Sequence, residues 1–427
     1  MFSRTPQTFL REDTTTMKCP SKTNCIVAAV TVLLMLVVLE FALRLMEDHH
    51  LINLTMDCKR DIRSAIDTKA HPYLGFMTED GTGDNYYFID SRVYVPQKDE
   101  VTIGIFGGSV ATNLALGMHT HRRFYDAIQP LTKKKIKILN FANAAFKQPQ
   151  SLLALAYAYA KGQKLDYILL LDGFNEIFCT QLNEKVGIPY DYPDAVIFAP
   201  LIALSGKGSR NQSYMENYTS ITRKMHFYEE LCRTPSPQAL ALVKVAKKSL
   251  AAVVAWSAKR DFNRFYNFEN VDTKDGIFYI PPVQDTDIFK KSAELWKNAA
   301  VAMRVLGTAY GAKMFHYIQP NQYYSKHQFS EHERAIAFVQ KEGRAESIHK
   351  GYDAMMASAA QLNAAGNKVI PLVDLYDDVK EEVYVDNCCH YNKLGEEILQ
   401  DRIAKELAAD INAAPPHEAT TTPAAAN

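Results

Sequence analysis

Apolar residues fall along this chain in two patterns: one long run near its start, then short runs separated by stretches of helical spacing. Residues 26–39 carry no charged side chain, and Phe41, Ala42, Leu43, Leu45 and Met46 extend the run beyond Glu40. A helix needs ~20 such residues to cross a bilayer. Residues 25–46 are therefore predicted to be a transmembrane signal anchor in contact with lipid. Glu40 and Arg44 lie four apart, which puts them on one helical face as a pair near the far interface.

Beyond the anchor, residues 101–106 form a β-branched apolar run that ends at Gly107 and Gly108, with helix-compatible sequence from Val110. Residues 136–141, 167–171, 314–318 and 369–375 repeat the strand signal. The 167–171 run is continuously apolar, as a strand buried on both faces should be. Leu152, Leu153, Leu155 and Ala156 have helical spacing, and Leu394, Ile398 and Leu407 mark a final amphipathic helix. Strands separated by helical segments predict an α/β protein with a mainly parallel sheet covered on both sides.

The predicted organisation is a cytoplasmic segment over residues 1–24, the anchor over 25–46, a juxtamembrane lead-in over 47–98 and an α/β domain over 99–410. Within that domain residues 180–288 are too long for a simple loop and read as an insertion or cap, with a helix over 237–260. The Ala-, Thr- and Pro-rich residues 411–427 read as a disordered tail. No small-x-small cleavage site follows the apolar run, so an uncleaved anchor is expected. Arg4, Arg11, Lys18 and Lys22 before the span, against Lys59, Arg60 and Arg63 after it, bias the N-terminus slightly to the cytoplasm. The body would then be exported: periplasmic, extracellular or lumenal.

Charge changes the picture by exclusion. Basic and acidic residues number 48 each, so no net basic field calls for nucleic acid as a partner. The Lys133, Lys134, Lys135 run reads as a solvated loop before a strand. Of seven cysteines, Cys19 and Cys25 belong to the anchor region; Cys58, Cys179, Cys232, Cys388 and Cys389 remain, an odd number that cannot all pair internally. Asn53, Asn211 and Asn217 each open an N-x-Ser/Thr triplet. His49-His50 and His119-x-His121 come with no cysteine or acidic cluster at ligand spacing, so neither a metal nor another cofactor is expected.

Three short blocks carry candidate chemistry. Ser109 follows Gly107-Gly108 between a strand and a helix, where glycines permit a sharp turn and the helix N-terminus supplies free N–H groups. Ala111 rules out a G-x-S-x-G elbow. Asp172-Gly173-Phe174-Asn175-Glu176 ends the buried strand, so that Asn175 can donate to an oxyanion and Gly173 lets substrate approach closely. Asp386-Asn387-Cys388-Cys389-His390 precedes the final helix, placing an acidic residue just before a histidine.

In this order the blocks resemble the nucleophile, oxyanion and Asp/His blocks of the SGNH or GDSL hydrolase superfamily, over about residues 70 to 410. Residues 140–150, with Lys147-Gln148-Pro149-Gln150, also look like an anchored, exported subgroup of it. The resemblance implies a three-layer, flavodoxin-like α/β/α fold, Ser109 as nucleophile, His390 as base, and an oxyanion hole from the Ser109 and Ala145 N–H groups and the Asn175 amide. It implies an esterase that forms an acyl-enzyme on an ester-bearing small molecule or glycan, O-acetyl groups included, and ends in hydrolysis or acyl transfer. Two positions depart from the family. Ala145 stands where it has glycine, and Asn387 stands three residues before the histidine, with Asp386 four before. Asp386 reaches the ring if the turn bulges at Cys388 and Cys389; otherwise Asn387 faces it. The alternative function is a noncatalytic, membrane-tethered glycan-binding or assembly protein of the same fold.

Overall fold

The structure, a computed structural model, describes residues 22–49, 51–54, 68–78, 93–118, 120–185, 187–195, 197–198, 209–233, 240–265, 287–338 and 343–413. In chain order its elements are α1 (Lys22–Asp48), β1 (Thr68–His71), β2 (Gly75–Thr78), β3 (Glu100–Gly107), α2 (Ser109–Leu116), α3 (Phe124–Ile128), β4 (Lys135–Asn140) and α4 (Gln150–Ala160). There follow β5 (Tyr167–Asp172), α5 (Phe174–Lys185), α6 (Ser209–Arg233), α7 (Ala241–Phe265), α8 (Ile288–Ala309), β6 (Lys313–Ile318), α9 (Glu331–Ala337), α10 (Arg344–Ala364), β7 (Val369–Pro371) and α11 (Lys393–Ala413). The predicted segments at 1–21 and 414–427, His50 and His119 lie outside the described residues.

The chain divides into two compact units. The first joins the N-terminal residues through Lys59 to Lys224–Ala258. Its helix α1 includes a span, Ile26–Asp48, long and apolar enough to cross a membrane, with mean hydropathy 2.8 and no part of that window buried in protein. Glu40 pairs with Arg44 at 2.6 Å, as its spacing predicts, and its carboxylate also accepts the N–H groups of Ala241 and Leu242 at 2.8 Å each. An anion at a helix N-terminus satisfies N–H groups that have no partner within the helix. A charge within the apolar run is thereby explained: it caps α7. Lys244 adds a 3.0 Å pair with Glu47. Residues 224–258 of the expected insertion thus group with the N-terminal helix, not with the α/β unit, and its predicted helix is α7.

The second unit is built on a five-stranded, wholly parallel sheet in the order β4-β3-β5-β6-β7. Counting only these strands, the order is 2-1-3-4-5, that of doubly wound flavodoxin-like sheets. Side chains alternate across the sheet. Ile103, Ile105, Leu169, Leu171 and Tyr317 join Val110 and Leu114 of α2 and Leu399, Ile403 and Leu407 of α11 in one core cluster. Phe106, Ile168, Leu170 and Met314 join Ala154, Leu155 and Ala158 of α4, with Phe76 of β2, in the other. Each buried aliphatic side chain is worth about 1.5–3 kcal/mol, so this two-sided burial sets register firmly. The strand expected over 369–375 stops at Pro371, and Leu372 N–H makes one more bond to β6, donating to Ile318 O at 2.9 Å. The hairpin β1–β2 lies within the expected lead-in, and α11 runs through Ala413 with Ile411 buried, into the stretch expected to be tail.

At the switch point the sheet fixes one backbone position. Gly107 ends β3 at φ +138°, and a Cβ there would lie 2.0 Å from Leu171 O on β5. Gly107→Ala should destabilise the domain by about 3 kcal/mol or more, since two backbones would have to separate. Gly162, at φ +88° with no atom within 4 Å of an added Cβ, should lose only about 1 kcal/mol as Gly162→Ala. Denaturant midpoints of the two variants check this; equal shifts would mean that strand contact is not what demands Gly107.

Candidate active site

In a sheet of this order the crevice opens at the carboxyl ends of the strands flanking the switch point, here β3 and β5. Gly108 is extended (φ −88°, ψ −155°) and Ser109 is the first residue of α2. The first N–H groups of a helix have no partner inside it, so the Ser109 N–H is a donor backed by the positive end of the helix dipole. His390 Nε2 lies 2.7 Å from Ser109 Oγ, and His390 Nδ1 lies 2.5 Å from Asp386 Oδ2. The neutral tautomer that fits is protonated at Nδ1, leaving Nε2 to accept from the serine.

The loop that carries His390 explains how a four-residue spacing works. Tyr384 and Tyr391 form an antiparallel bridge, and Val385 N–H donates to His390 O at 3.1 Å. Inside the loop Asp386 Oδ1 accepts the N–H groups of Cys388, Cys389 and His390 at 2.9, 3.1 and 3.3 Å. The bulge at the two cysteines is therefore wound about one carboxylate oxygen, which leaves the other for the imidazole. Asn387 is exposed, and its carbonyl accepts from Tyr323 Oη at 3.1 Å and Arg344 Nη2 at 3.2 Å. Of the two neighbours that the sequence left open, Asp386 meets the ring.

Residues 321–323, after β6, hold the loop from outside. Asn321 Nδ2 donates to Cys388 O at 3.3 Å, Gln322 Nε2 to Asp386 O at 3.2 Å and Tyr323 Oη to Asn387 O. Sequence reading missed these residues. Their signal was a polar Gln-Pro-Asn-Gln run directly after a predicted strand.

The third block adjoins the Gly107–Ser109 turn. Asn175 Nδ2 donates to Phe146 O at 2.9 Å. A Cβ added to Gly108 would come within 2.2 Å of that Nδ2 and 3.2 Å of Phe146 O. Gly108, Asn175 and the 143–146 turn thus touch one another. That turn is tied to β3 by Asn143 N–H donating to Gly107 O at 3.1 Å and closes through Phe146 N–H to Asn143 O at 3.1 Å. Ala145 sits at its third position with φ +59°, the left-handed conformation that glycine usually supplies. Alanine here keeps both the N–H and the glycine-like backbone. Gly173, at φ +150°, is buried; an added Cβ would meet Gln319 Cγ at 2.9 Å and Tyr352 Oη at 3.2 Å. Protein atoms face its open side.

Behind these residues lies a buried polar layer. Glu176 accepts the Gly173 N–H at 2.8 Å on one oxygen and the Gln148 N–H at 3.2 Å on the other. It thereby joins the turn before Asn175 to the segment after Ala145. Asp172 accepts from Gln148 Nε2 at 3.4 Å and pairs with His316 Nε2 at 2.9 Å. Burial, and then the charge of Asp172, push the Glu176 carboxyl up to about 8. Lys147, also buried, donates to Tyr190 O at 2.5 Å, and burial lowers its ammonium below the ordinary range.

The thiols of Cys388 and Cys389 and the His390 ring lie within 4.8 Å of one another, a donor set for a soft cation. Both ring nitrogens are already engaged, with Asp386 and Ser109, so a cation bound through the ring would have to displace one of them. No protein-family model matches this sequence, and no curated protein does.

The electrostatics of His390 give a direct test. Burial works against its charged form, but the hydrogen bond to Asp386, reinforced by Cys388 and by the Asp386 charge, outweighs it and pushes the imidazole up to about 9. Burial would raise Asp386; its bond to His390 and the loop N–H groups hold it below the usual range instead. NMR titration of the ring should give a midpoint well above the ordinary ~6.5. Asp386→Asn should bring it down, because an amide does not favour imidazolium. An unchanged midpoint in that variant would show that the carboxylate does not control the ring.

Proposed function

We propose that this protein is a membrane-anchored serine hydrolase or acyltransferase of the SGNH type. The carrying observation is the unbroken chain Ser109 Oγ, His390 Nε2, His390 Nδ1, Asp386 Oδ2 at the mouth of the switch point. Supporting it are the adjoining Asn175 amide and the left-handed Ala145 at Gly108.

In the proposed reaction His390 takes the Ser109 proton as Oγ attacks an ester carbonyl, and the negative charge moves to the carbonyl oxygen. The Ser109 and Ala145 N–H groups and the Asn175 amide stabilise that oxyanion, while Asp386 holds the ring and stabilises the imidazolium. Collapse of the tetrahedral species expels the alcohol, which takes the proton from His390, and leaves an acyl group on Ser109. Water then releases the acid, or a sugar hydroxyl takes the acyl group, with His390 again the base. The substrate class is an exported ester, such as an O-acetylated glycan. Gly173 acts by letting Gln319 and Tyr352 approach the turn that carries Asn175. The span in α1 would hold the domain at the bilayer with residues 1–24 cytoplasmic.

Labelling with a fluorophosphonate probe, read by peptide mass, is the test. Ser109 should be modified, and Ser109→Ala should lose both labelling and turnover of a short-chain activated ester with little change in melting. Absence of labelling in the folded parent protein would favour the noncatalytic glycan-binding reading.

The base must be neutral to accept a proton, so kcat/KM should rise with pH through neutrality and fall as pH drops below the raised value of His390. Asp386→Asn should lower kcat more than about a hundredfold, equivalent to about 2.7 kcal/mol, and Asn387→Ala less than about tenfold. The reverse ranking would mean a dyad oriented by an amide.

A further inference from the structure

Two sulfurs beside the candidate base are not used by the proposed reaction. Cys388 and Cys389 are free thiols, adjacent in sequence, with their Sγ atoms 3.3 Å apart. Cys388 is half-buried and Cys389 buried. Cys179, the other free cysteine among the described residues, is enclosed, and burial pushes its thiol well above the ordinary range. The pair differs. The hydrogen bond from Cys389 lowers the Cys388 thiol against the opposing effects of burial and of the Asp386 charge, helped by the nearby His390 and Arg344 charges. Burial raises Cys389. One sulfur is suited to attack and the other to resolve. Cys232 is disulfide-bonded, as befits a compartment where disulfide oxidants are at hand.

We propose that Cys388 and Cys389 form a thiol–disulfide exchange site for a small-molecule disulfide, and that its closure disables the Ser109–His390 pair. The exchange stands on the sulfur geometry; its consequence rests on the serine-hydrolase reading. The Cys388 thiolate attacks one sulfur of the oxidant, forming a mixed disulfide and expelling a thiolate that takes up a proton. Cys389 gives its proton to solvent and attacks Cys388 Sγ, forming the protein S–S bond and expelling the second thiol. Net, the protein dithiol and one small disulfide become a protein disulfide and two small thiols. Two electrons pass from the protein sulfurs to the oxidant.

Closure must shorten the 3.3 Å separation to a bond of about 2.05 Å. Ordinary disulfides join Cα atoms about 4.4–6.8 Å apart, whereas neighbours across a trans peptide are only ~3.8 Å apart. The Cys388–Cys389 peptide therefore has to leave its present geometry. The N–H groups of both cysteines and of His390 share Asp386 Oδ1, so a twist there pulls on the carboxylate that aligns His390. The strain also makes the bond easily reduced.

The full-length protein in detergent is treated with oxidised glutathione or with dithiothreitol, then read by peptide mass across residues 386–391 and by the rate of fluorophosphonate labelling at Ser109. Oxidation should remove two hydrogens from the Cys388–Cys389 peptide and slow labelling at least tenfold, dithiothreitol should reverse both, and Cys388→Ser should show neither. Intact thiols or a lasting glutathione adduct would overturn the exchange site. Closure with unchanged labelling would overturn the coupling. Failure of the reduced protein to label would count against the serine reading and the coupling, while the mass result still decides the exchange chemistry.

Discussion

A single carboxylate, Asp386, sets the geometry of the candidate site. One oxygen gathers three successive backbone N–H groups and so winds the Cys388–His390 bulge, while the other meets the His390 ring. Neither task is separable from the other. Charge-assisted hydrogen bonds of this kind are about twice as strong as neutral ones, and three on one oxygen restrain the carboxylate's own rotation. The ring is aligned because the loop is wound, and the loop is wound by the group that aligns the ring.

That loop would still drift if nothing held it to the sheet. Asn321, Gln322 and Tyr323 donate to the carbonyls of Cys388, Asp386 and Asn387, and Tyr391 Oη donates to Pro320 O at 2.6 Å. These donors follow β6, and Gln319 N–H is itself bound to Asp172 O at 2.9 Å. Asp172 ends β5 and precedes Gly173 and Asn175. Rigid strand ends therefore transmit position from the Asn175 side of the candidate site to the His390 side through short hydrogen bonds rather than through flexible contacts. Glu176 does the same toward the 143–148 segment.

Much of this was legible in residue order. Runs such as 167–171, apolar without interruption, announce a strand covered on both faces, and β5 occupies that place. Gly107-Gly108-Ser109 announced a tight turn because no other residue type tolerates a backbone at van der Waals range on both sides. What the sequence hid were contacts between distant segments whose residues look ordinary alone. Asn321, Gln322 and Gln148 are common polar side chains, and only the crossover of strands brings the first two to the 386–391 loop and Gln148 to Asp172 and Glu176. The role of Glu40 was hidden likewise: its spacing from Arg44 was readable, but α7, 201 residues on, was needed to show the carboxylate as a helix cap. The grouping of residues 224–258 with the N-terminal helix follows from the same contact class.

The departure at Ala145 bears on whether the site is organised for chemistry or only inherits its shape. Among the described residues, three other than glycine have positive φ: Asp99, His121 and Ala145. Aspartate and histidine are types enriched in that region, and alanine is not. An L-residue without a compensating side chain gives up about 1–2 kcal/mol there. Such strain persists where surrounding bonds over-determine the backbone, and it gathers at functional sites. Here the turn is fixed on one side by Asn143 N–H donating to Gly107 O and on the other by Phe146 O accepting from Asn175 Nδ2, both beside the Gly107–Ser109 turn. The strained residue is the one whose N–H the proposed oxyanion hole requires. Moving Ala145 to negative φ would pull on both of these bonds. The alanine thus keeps a glycine-like backbone, held by the bonds of its neighbours, at a position where its own side chain opposes it.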